Sequence, residues 1–249
     1  MSIDDIEDYE TLYGIKKLPR QSVIEPREIH GVLPRRGVRN PIGTSASSQK
    51  ATFVYRVPAT GFMDEVGLAD SLGETSVGDE ILISPETYDL EFQALTFQYE
   101  YPAGNWRPHT IDMRLTTVSG RRILIFVRYE ESLKDYRTWE EIDAIEAAYP
   151  RSEADDFIVV NANDYSRARR DNLRRMHRLV VFQPDPLADE LVFEAVQSLN
   201  TLWLMKDICK AMNLSKSRIF QACNRLIARG RLGANMDAVI CHHSRIWKV

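Results

Sequence analysis

The chain has 249 residues, 44% of them hydrophobic and 27% charged, with a formal net charge of −4. That length builds one large domain or two small ones, and the composition excludes collagenous, low-complexity and disulfide-stapled classes. The slight acidity also excludes nucleic-acid binding through overall charge, so any such contact falls to local basic patches.

Cys209, Cys223 and Cys241 are far apart and odd in number. With no CxxC pair they read as reduced thiols, not as a disulfide framework or zinc site. Cys241-His242-His243 makes a poor metal motif, because neighbours on a strand point to opposite faces. The first residues lack a signal peptide's apolar run, and no apolar stretch is long enough to span a membrane. A cytoplasmic protein without a membrane partner is expected.

Residues 1–50 read as an extended basic arm, partly disordered: an acidic first ten residues, then Lys16, Lys17, Arg20, Arg27, Arg35, Arg36 and Arg39 among prolines. Charge and proline with little apolar periodicity oppose a packed core. Such an arm lies along DNA or a partner protein, or is a solvated tail.

An endonuclease-like domain is expected over 51–183. Thr52–Val57 is strand-like and Met63–Asp70 opens as a helix. In Ser71–Ser84 a capping Ser71 starts a helix that Gly73 and Gly78 weaken, and Pro85 ends regular structure. Tyr88–Tyr101 forms one or two strands. The runs Thr110–Val118 and Arg122–Tyr129 flank a Ser119-Gly120 turn and form a hairpin. Alternation in the second run puts Phe126, Arg128 and Glu130 on one face and Ile123, Ile125 and Val127 on the other. Trp139–Ala148 is a short helix and Asp156–Val160 a buried strand. Asn163 or Asp164 caps a helix over Tyr165–Arg178 that carries six arginines. Among these, Arg167, Arg170 and Arg174 are candidates for phosphate contacts, against the alternative of a solvated helix.

Pro184 and Pro186 mark the linker to a second domain, 184–249. Helices over Leu187–Leu199, Trp203–Met212 and Lys216–Gly230, then a two-stranded tail, follow the order of a winged helix-turn-helix. If it reads DNA, its third helix presents Lys216, Arg218, Gln221 and Arg225, with Asn224 beside them. Contacts to protein alone are the alternative.

Nuclease chemistry gathers carboxylates around a divalent ion, which prefers hard oxygen ligands and activates water. Asp112 is the obvious first ligand and Glu74 the candidate second. The order of segments around them resembles that of TnsA-type transposon-end endonucleases. Those have an acid on a helix, matched by Glu74, then a turn and a strand ending near glutamine, matched by Ser84-Pro85 and Leu90-Glu91-Phe92-Gln93. A strand start around Asp follows, matched by Thr110-Ile111-Asp112-Met113. A strand ending in acid or glutamine, any residue, lysine comes next, at Phe126-Val127-Arg128. The strand Phe157–Val160, Asn163-Asp164, Asn172 and a C-terminal winged helix complete the layout over roughly 50–249.

The resemblance implies an α/β protein: a restriction-endonuclease-like mixed sheet core followed by a C-terminal winged-helix domain. It implies a metal-dependent endonuclease subunit of a heteromeric transposase, cutting the 5′ ends of a transposon in double-stranded DNA. A DDE transposase resembling TnsB would cut the 3′ ends, and an ATPase regulator resembling TnsC would join. Magnesium, for which manganese may substitute, would be held by Glu74 and Asp112, with Arg128 facing phosphate. The chain departs from the family at Phe126, which ligates nothing, and at Arg128, which replaces lysine and cannot act as a base. The departure leaves the Val127 carbonyl as a replacement ligand, with Glu130 a less favoured stand-in. The alternatives are a weakened or inactive DNA- and partner-binding adaptor and, last, a stand-alone winged-helix regulator.

Overall fold

The computed structural model describes residues 23–43, 49–101, 104–199 and 204–249. The acidic start, Lys16, Lys17, Arg20 and the Trp203 end of the second C-terminal helix lie outside them. The chain is a mixed α/β structure. Strands β1 (Val32–Leu33), β2 (Ala51–Tyr55) and β3 (Asp64–Ala69) form a small sheet ordered β1-β3-β2. Helix α1 (Leu72–Ile83) leads to β4 (Thr87–Phe92), the hairpin β5 (Thr96–Tyr101) and β6 (Asn105–Thr110), then β7 (Met113–Thr117) and β8 (Arg122–Arg128). A helical turn α2 (Glu130–Leu133) and helix α3 (Tyr136–Ala148) precede β9 (Asp156–Asn161). The main sheet runs β4-β7-β8-β9, antiparallel except for the parallel β8–β9 pair.

The period of two in β8 decides the layering. Ile125 and Val127 share one core with Leu90, Phe92 and Met113 of the sheet, Val77 of α1, and Leu173 and Met176 of the arginine-rich helix α4 (Arg167–His177). Leu124 and Phe126 join a second core with Ile142 and Ile145 of α3, Tyr99 of β5 and Ile111. The sheet therefore sits between α1 and α4 on one side and α3 on the other.

Several local expectations are corrected. Met63–Asp70 is not helical: Asp64–Ala69 pairs as β3 between β1 and β2. Tyr88–Tyr101 is two strands, broken where Gln93 takes φ +52°. Helix α4 is capped by Ser166, whose side chain accepts the Arg169 N–H, rather than by Asn163 or Asp164. The two glycines of α1 serve close packing. A Cβ on Gly78 would stand 2.6 Å from the Phe92 ring, and one on Gly73 would stand 2.7 Å from Ala162. Both contacts are shorter than side chains tolerate, so the sheet approaches the helix as closely as it does because these side chains are missing.

Residues 23–43 are extended and pinned down. Arg36 donates to the buried Glu65 at 2.7 Å and makes a two-pronged 2.7 Å contact with Asp89, while the Val38 N–H donates to the Gln93 carbonyl at 2.9 Å. The fork geometry of arginine suits such bidentate pairing.

After α4 a π-helical turn, Arg178–Phe182, leads to α5 (Pro186–Ser198), α6 (Met205–Ala211), α7 (Lys216–Ala228) and the antiparallel pair β10 (Leu232–Ala234) and β11 (Ile246–Lys248). This unit packs on α4. Asn172, fully buried, donates to the Met236 and Ala238 carbonyls at 2.9 and 2.8 Å and accepts the Ile240 N–H. Among the described residues no helix is long and apolar enough to cross a membrane.

Candidate functional site

Glu74 owes its place to the start of α1. The Ser71 cap accepts the Glu74 N–H at 3.2 Å, and the Glu74 carboxylate turns back to accept the Asp70 N–H at 2.8 Å. This is a reciprocal arrangement of the capping-box kind, with the acid also placed favourably at a helix N-terminus. Gln93 closes the other side, its Nε2 donating to Glu74 Oε2 at 3.2 Å. Asp112 lies in the two-residue link between β6 and β7, not within a strand. Its carbonyl accepts the Gln93 N–H at 2.7 Å, and its Oδ2 accepts the Val127 N–H at 2.8 Å.

Both acids are nearly sealed from solvent, Glu74 5% and Asp112 6% exposed. Burial, reinforced by the charge of Asp112, pushes the Glu74 carboxyl up to about 8. Burial also raises Asp112, opposed by the positive charge of Arg128 and the Val127 N–H. Two carboxylates that resist ionisation side by side are what a divalent cation relieves. The donor set fits such an ion: the two carboxylates, plus the Gln93 Oε1, which is buried without a hydrogen-bond partner. These are hard oxygens of the kind magnesium takes. Among the described residues no cluster of three or more His, Cys, Asp and Glu side chains is present, so the third oxygen would come from an amide.

Glu74 supplies a test with a definite sign. Its folded value, about 8, lies above the ordinary 4.5, so the fold binds this proton more tightly than the unfolded chain does. Stability is therefore lost as pH rises from about 4.5 through about 8, and no more above it. Without divalent metal, the melting temperature of Glu74→Gln should exceed that of wild type by several degrees near pH 9. Toward pH 5 the gap should narrow; a gap independent of pH would remove burial as the cause.

Arg128 is brought to Asp112, its Nη1 lying 3.5 Å from Oδ2. The same nitrogen donates to the Val127 carbonyl at 2.7 Å, and the guanidinium lies 3.5 Å over the Phe126 ring. These contacts bear on the expected ligand set. The Val127 carbonyl already accepts one hydrogen bond, from Arg128. Glu130 opens α2 off the strand and pairs with Lys134, so it shares no face with Phe126. Phe126 is a core residue, 2% exposed, stacked among His109, Phe157 and Arg128.

The basic residues divide sharply. Arg167 and Arg174 are exposed and Arg170 half-buried, and together with Gln49, Leu72, Thr75, Ser76 and the acids Asp79 and Asp171 they line an open groove along α1. Of the third C-terminal helix, Lys216 is exposed and Gln221 and Arg218 are half-buried, but the expected DNA contact of Arg225 is corrected. Arg218 grips Asp185, the cap of α5, at 2.9 and 3.1 Å. Arg225 is 0% exposed, donating to Asp189 at 2.8 Å and to the Gln183 carbonyl at 3.0 Å. Asn224 is likewise buried, accepting from Arg175 of α4 at 3.2 Å. The helix buries polar as well as apolar residues because several elements pack around it, which the spacing of its apolar residues alone does not reveal.

Sequence reasoning passed over Arg39, Lys50, Asp70 and His109 as site residues, and quoted Gln93 without a role. Asp70, the residue before the α1 cap, forms ion pairs with both Arg39 and Lys50. His109 lies with its ring 5.0 Å from Phe126, held down at about 4 by burial and then by the Arg128 charge. No protein-family model matches the chain, and no curated protein sequence does either.

Proposed function

We propose that the protein is a TnsA-like endonuclease subunit of a heteromeric transposase, with a restriction-endonuclease-like core and a C-terminal winged helix, cutting the 5′ ends of a transposon. The observation that carries this reading is the buried Glu74–Asp112 pair. It joins a helix N-terminus to the link before a central strand, with Gln93 and Arg128 at its sides. The sheet held between helices, and the three helices followed by a strand pair, are compatible with the two fold names.

Magnesium, or manganese in its place, would be held by Glu74, Asp112 and the Gln93 Oε1, and would supply charge neutralisation and water activation. The chain's own residues do the rest. Arg128, already fixed by Asp112, Val127 and Phe126, faces phosphate as a preorganised cation that costs little to orient. It stays protonated, so it neutralises charge and takes no proton. The groove of Arg167, Arg170 and Arg174 follows the DNA backbone. The partners under this reading are a DDE transposase resembling TnsB and an ATPase regulator resembling TnsC.

A second reading, an inactive adaptor binding DNA and partners, is favoured by one observation: Phe126 is committed to the core and leaves the strand without a side-chain ligand. The two separate in one assay. Wild-type protein, magnesium and the transposase encoded by a neighbouring gene should nick a labelled transposon end on the 5′ strand. No nicking with any such partner, in magnesium or manganese, would favour the adaptor.

A further inference from the structure

The cations of the candidate site come from two parts of the chain, and the second part has no role in the reading above. Arg128 is committed on three sides, to Asp112, to the Val127 carbonyl and to the Phe126 ring. Across the mouth, Arg39 of the pinned N-terminal strap and Lys50 at the entry to β2 both pair with Asp70. Asp70 in turn donates its N–H to Glu74 Oε2 at 2.8 Å, so this cation pair is one residue contact from the buried acid. Asp70 balances one of the two charges; the other faces Glu74, whose charge a divalent ion would take up. Arg39 keeps nearly half of its side-chain surface open, 45% exposed. Its position is held from the side by the Val38 N–H on the Gln93 carbonyl and by Arg36 on Glu65 and Asp89. Gln49, the neighbour of Lys50, lines the same groove as Arg167, Arg170 and Arg174. Lys50, its side chain 19% exposed, follows directly on the groove's edge and is joined to the acid pair through Asp70.

We propose that Arg39 and Lys50 form a phosphate-binding pair that holds a nucleic-acid phosphodiester at the mouth of the Glu74–Asp112 site, with Asp70 as the residue that positions them. The chemistry is that of a forked and a compact cation on one anion. Arginine offers a planar pair of donors, and lysine a point charge with three. Asp70 keeps both side chains in place in the free protein, and an incoming phosphate takes over the charge that Asp70 leaves unmatched. The inference rests on the nucleic-acid reading of the site, but not on cleavage.

The test is the salt dependence of binding to a fluorescein-labelled DNA duplex, followed by anisotropy in calcium, which occupies hard oxygen sites. Lys50→Gln and Arg39→Gln should each weaken binding roughly fivefold and lower the slope of log affinity against log salt by about 0.9, as loss of one phosphate contact does. Lys50→Arg should retain most of the affinity. The Asp70→Asn background removes any purely structural ion pair. There Lys50→Gln should no longer change the melting temperature but should still lower DNA affinity. Wild-type affinity and slope in the folded variants, with only melting temperature altered, would overturn the proposal, and so would a wild-type protein that binds no duplex. If the variants lose affinity while wild type never nicks DNA, the nuclease reading falls and the pair stands. If wild type nicks and Asp112→Asn does not, yet the Arg39 and Lys50 variants bind and nick normally, the pair alone falls.

Discussion

Asp112→Asn should lower the rate of 5′-strand nicking about a thousandfold while leaving duplex affinity in calcium within a few-fold of wild type. Asp112 Oδ2 is anchored by the Val127 N–H at 2.8 Å and faces Arg128 at 3.5 Å, so it is positioned by the backbone of the central strand rather than by a flexible side chain. Under the proposed reading an ion held there would stabilise the developing phosphate charge by several kcal/mol, and each 1.36 kcal/mol is a factor of ten in rate. Asparagine is the informative substitution. Its carbonyl oxygen still accepts from Val127, so the strand keeps its hydrogen bond while the site loses a negative charge. Alanine would also leave the Val127 N–H without this acceptor, confounding chemistry with folding. Single-turnover nicking on a denaturing gel gives the rate, and thermal melting shows that the variant is folded. A variant that nicks at the wild-type rate removes Asp112, and the metal site built on it, from the chemistry.

The largest expected loss of stability lies elsewhere, at Arg225. Its guanidinium is 0% exposed and bound to Asp189, which is itself buried and also receives Arg229 at 3.0 Å. Removing one partner of a buried pair strands the other charge, at a cost of about 3–5 kcal/mol. Arg225→Ala should therefore lower the unfolding free energy by that amount in a denaturant titration. Asp189→Ala should be comparable, stranding two arginines, of which Arg229 can turn to water. The double variant Arg225→Met, Asp189→Leu should recover much of the loss, since apolar side chains of similar volume replace a buried ion pair at little cost. Duplex affinity of the folded Arg225→Ala protein should match wild type. A variant of normal stability and weakened DNA binding would restore the groove-reading role that the sequence implied.

Arg225 also shows where reading the chain alone stops. The run from Lys216 to Ala228 is legible as a helix because Ile219, Ala222, Cys223 and Leu226 recur at helical spacing, and these four are buried together. The polar residues between them look like an exposed reading surface. Asp189 and Gln183, the partners that bury Arg225, are some forty residues away, and nothing local signals them. The same holds for Val127, whose carbonyl accepts from the side chain of its own neighbour, Arg128, a contact that a strand diagram does not show.

Elements with a local period were legible: the β7–β8 hairpin around Gly120 at φ +85°, and α3, α5 and α7. Asp156–Asn161 is a strand as expected but not a buried one: it lies at the edge of the sheet, with Ile158 42% exposed. Met63–Asp70 was not, because so short a run fits either period, and pairing with β1 and β2 decides the matter. Gly73 and Gly78 argued against a helix on intrinsic propensity. Contact with Ala162 and Phe92 overrides that preference, since a tight sheet–helix approach needs the absent side chains.

For the candidate site, the sequence by itself named the two acids: Asp112 as the lone acid in the first run of the hairpin, and Glu74 on the helix-like stretch before it. What only the tertiary structure decided is their company. Gln93, Arg39, Lys50 and Asp70 come from separate segments, and they converge because β3, the link before α1 and the strap all meet at one end of the sheet. Charge pairing and burial act across space, and a period along the chain carries no record of which distant residue will stand opposite.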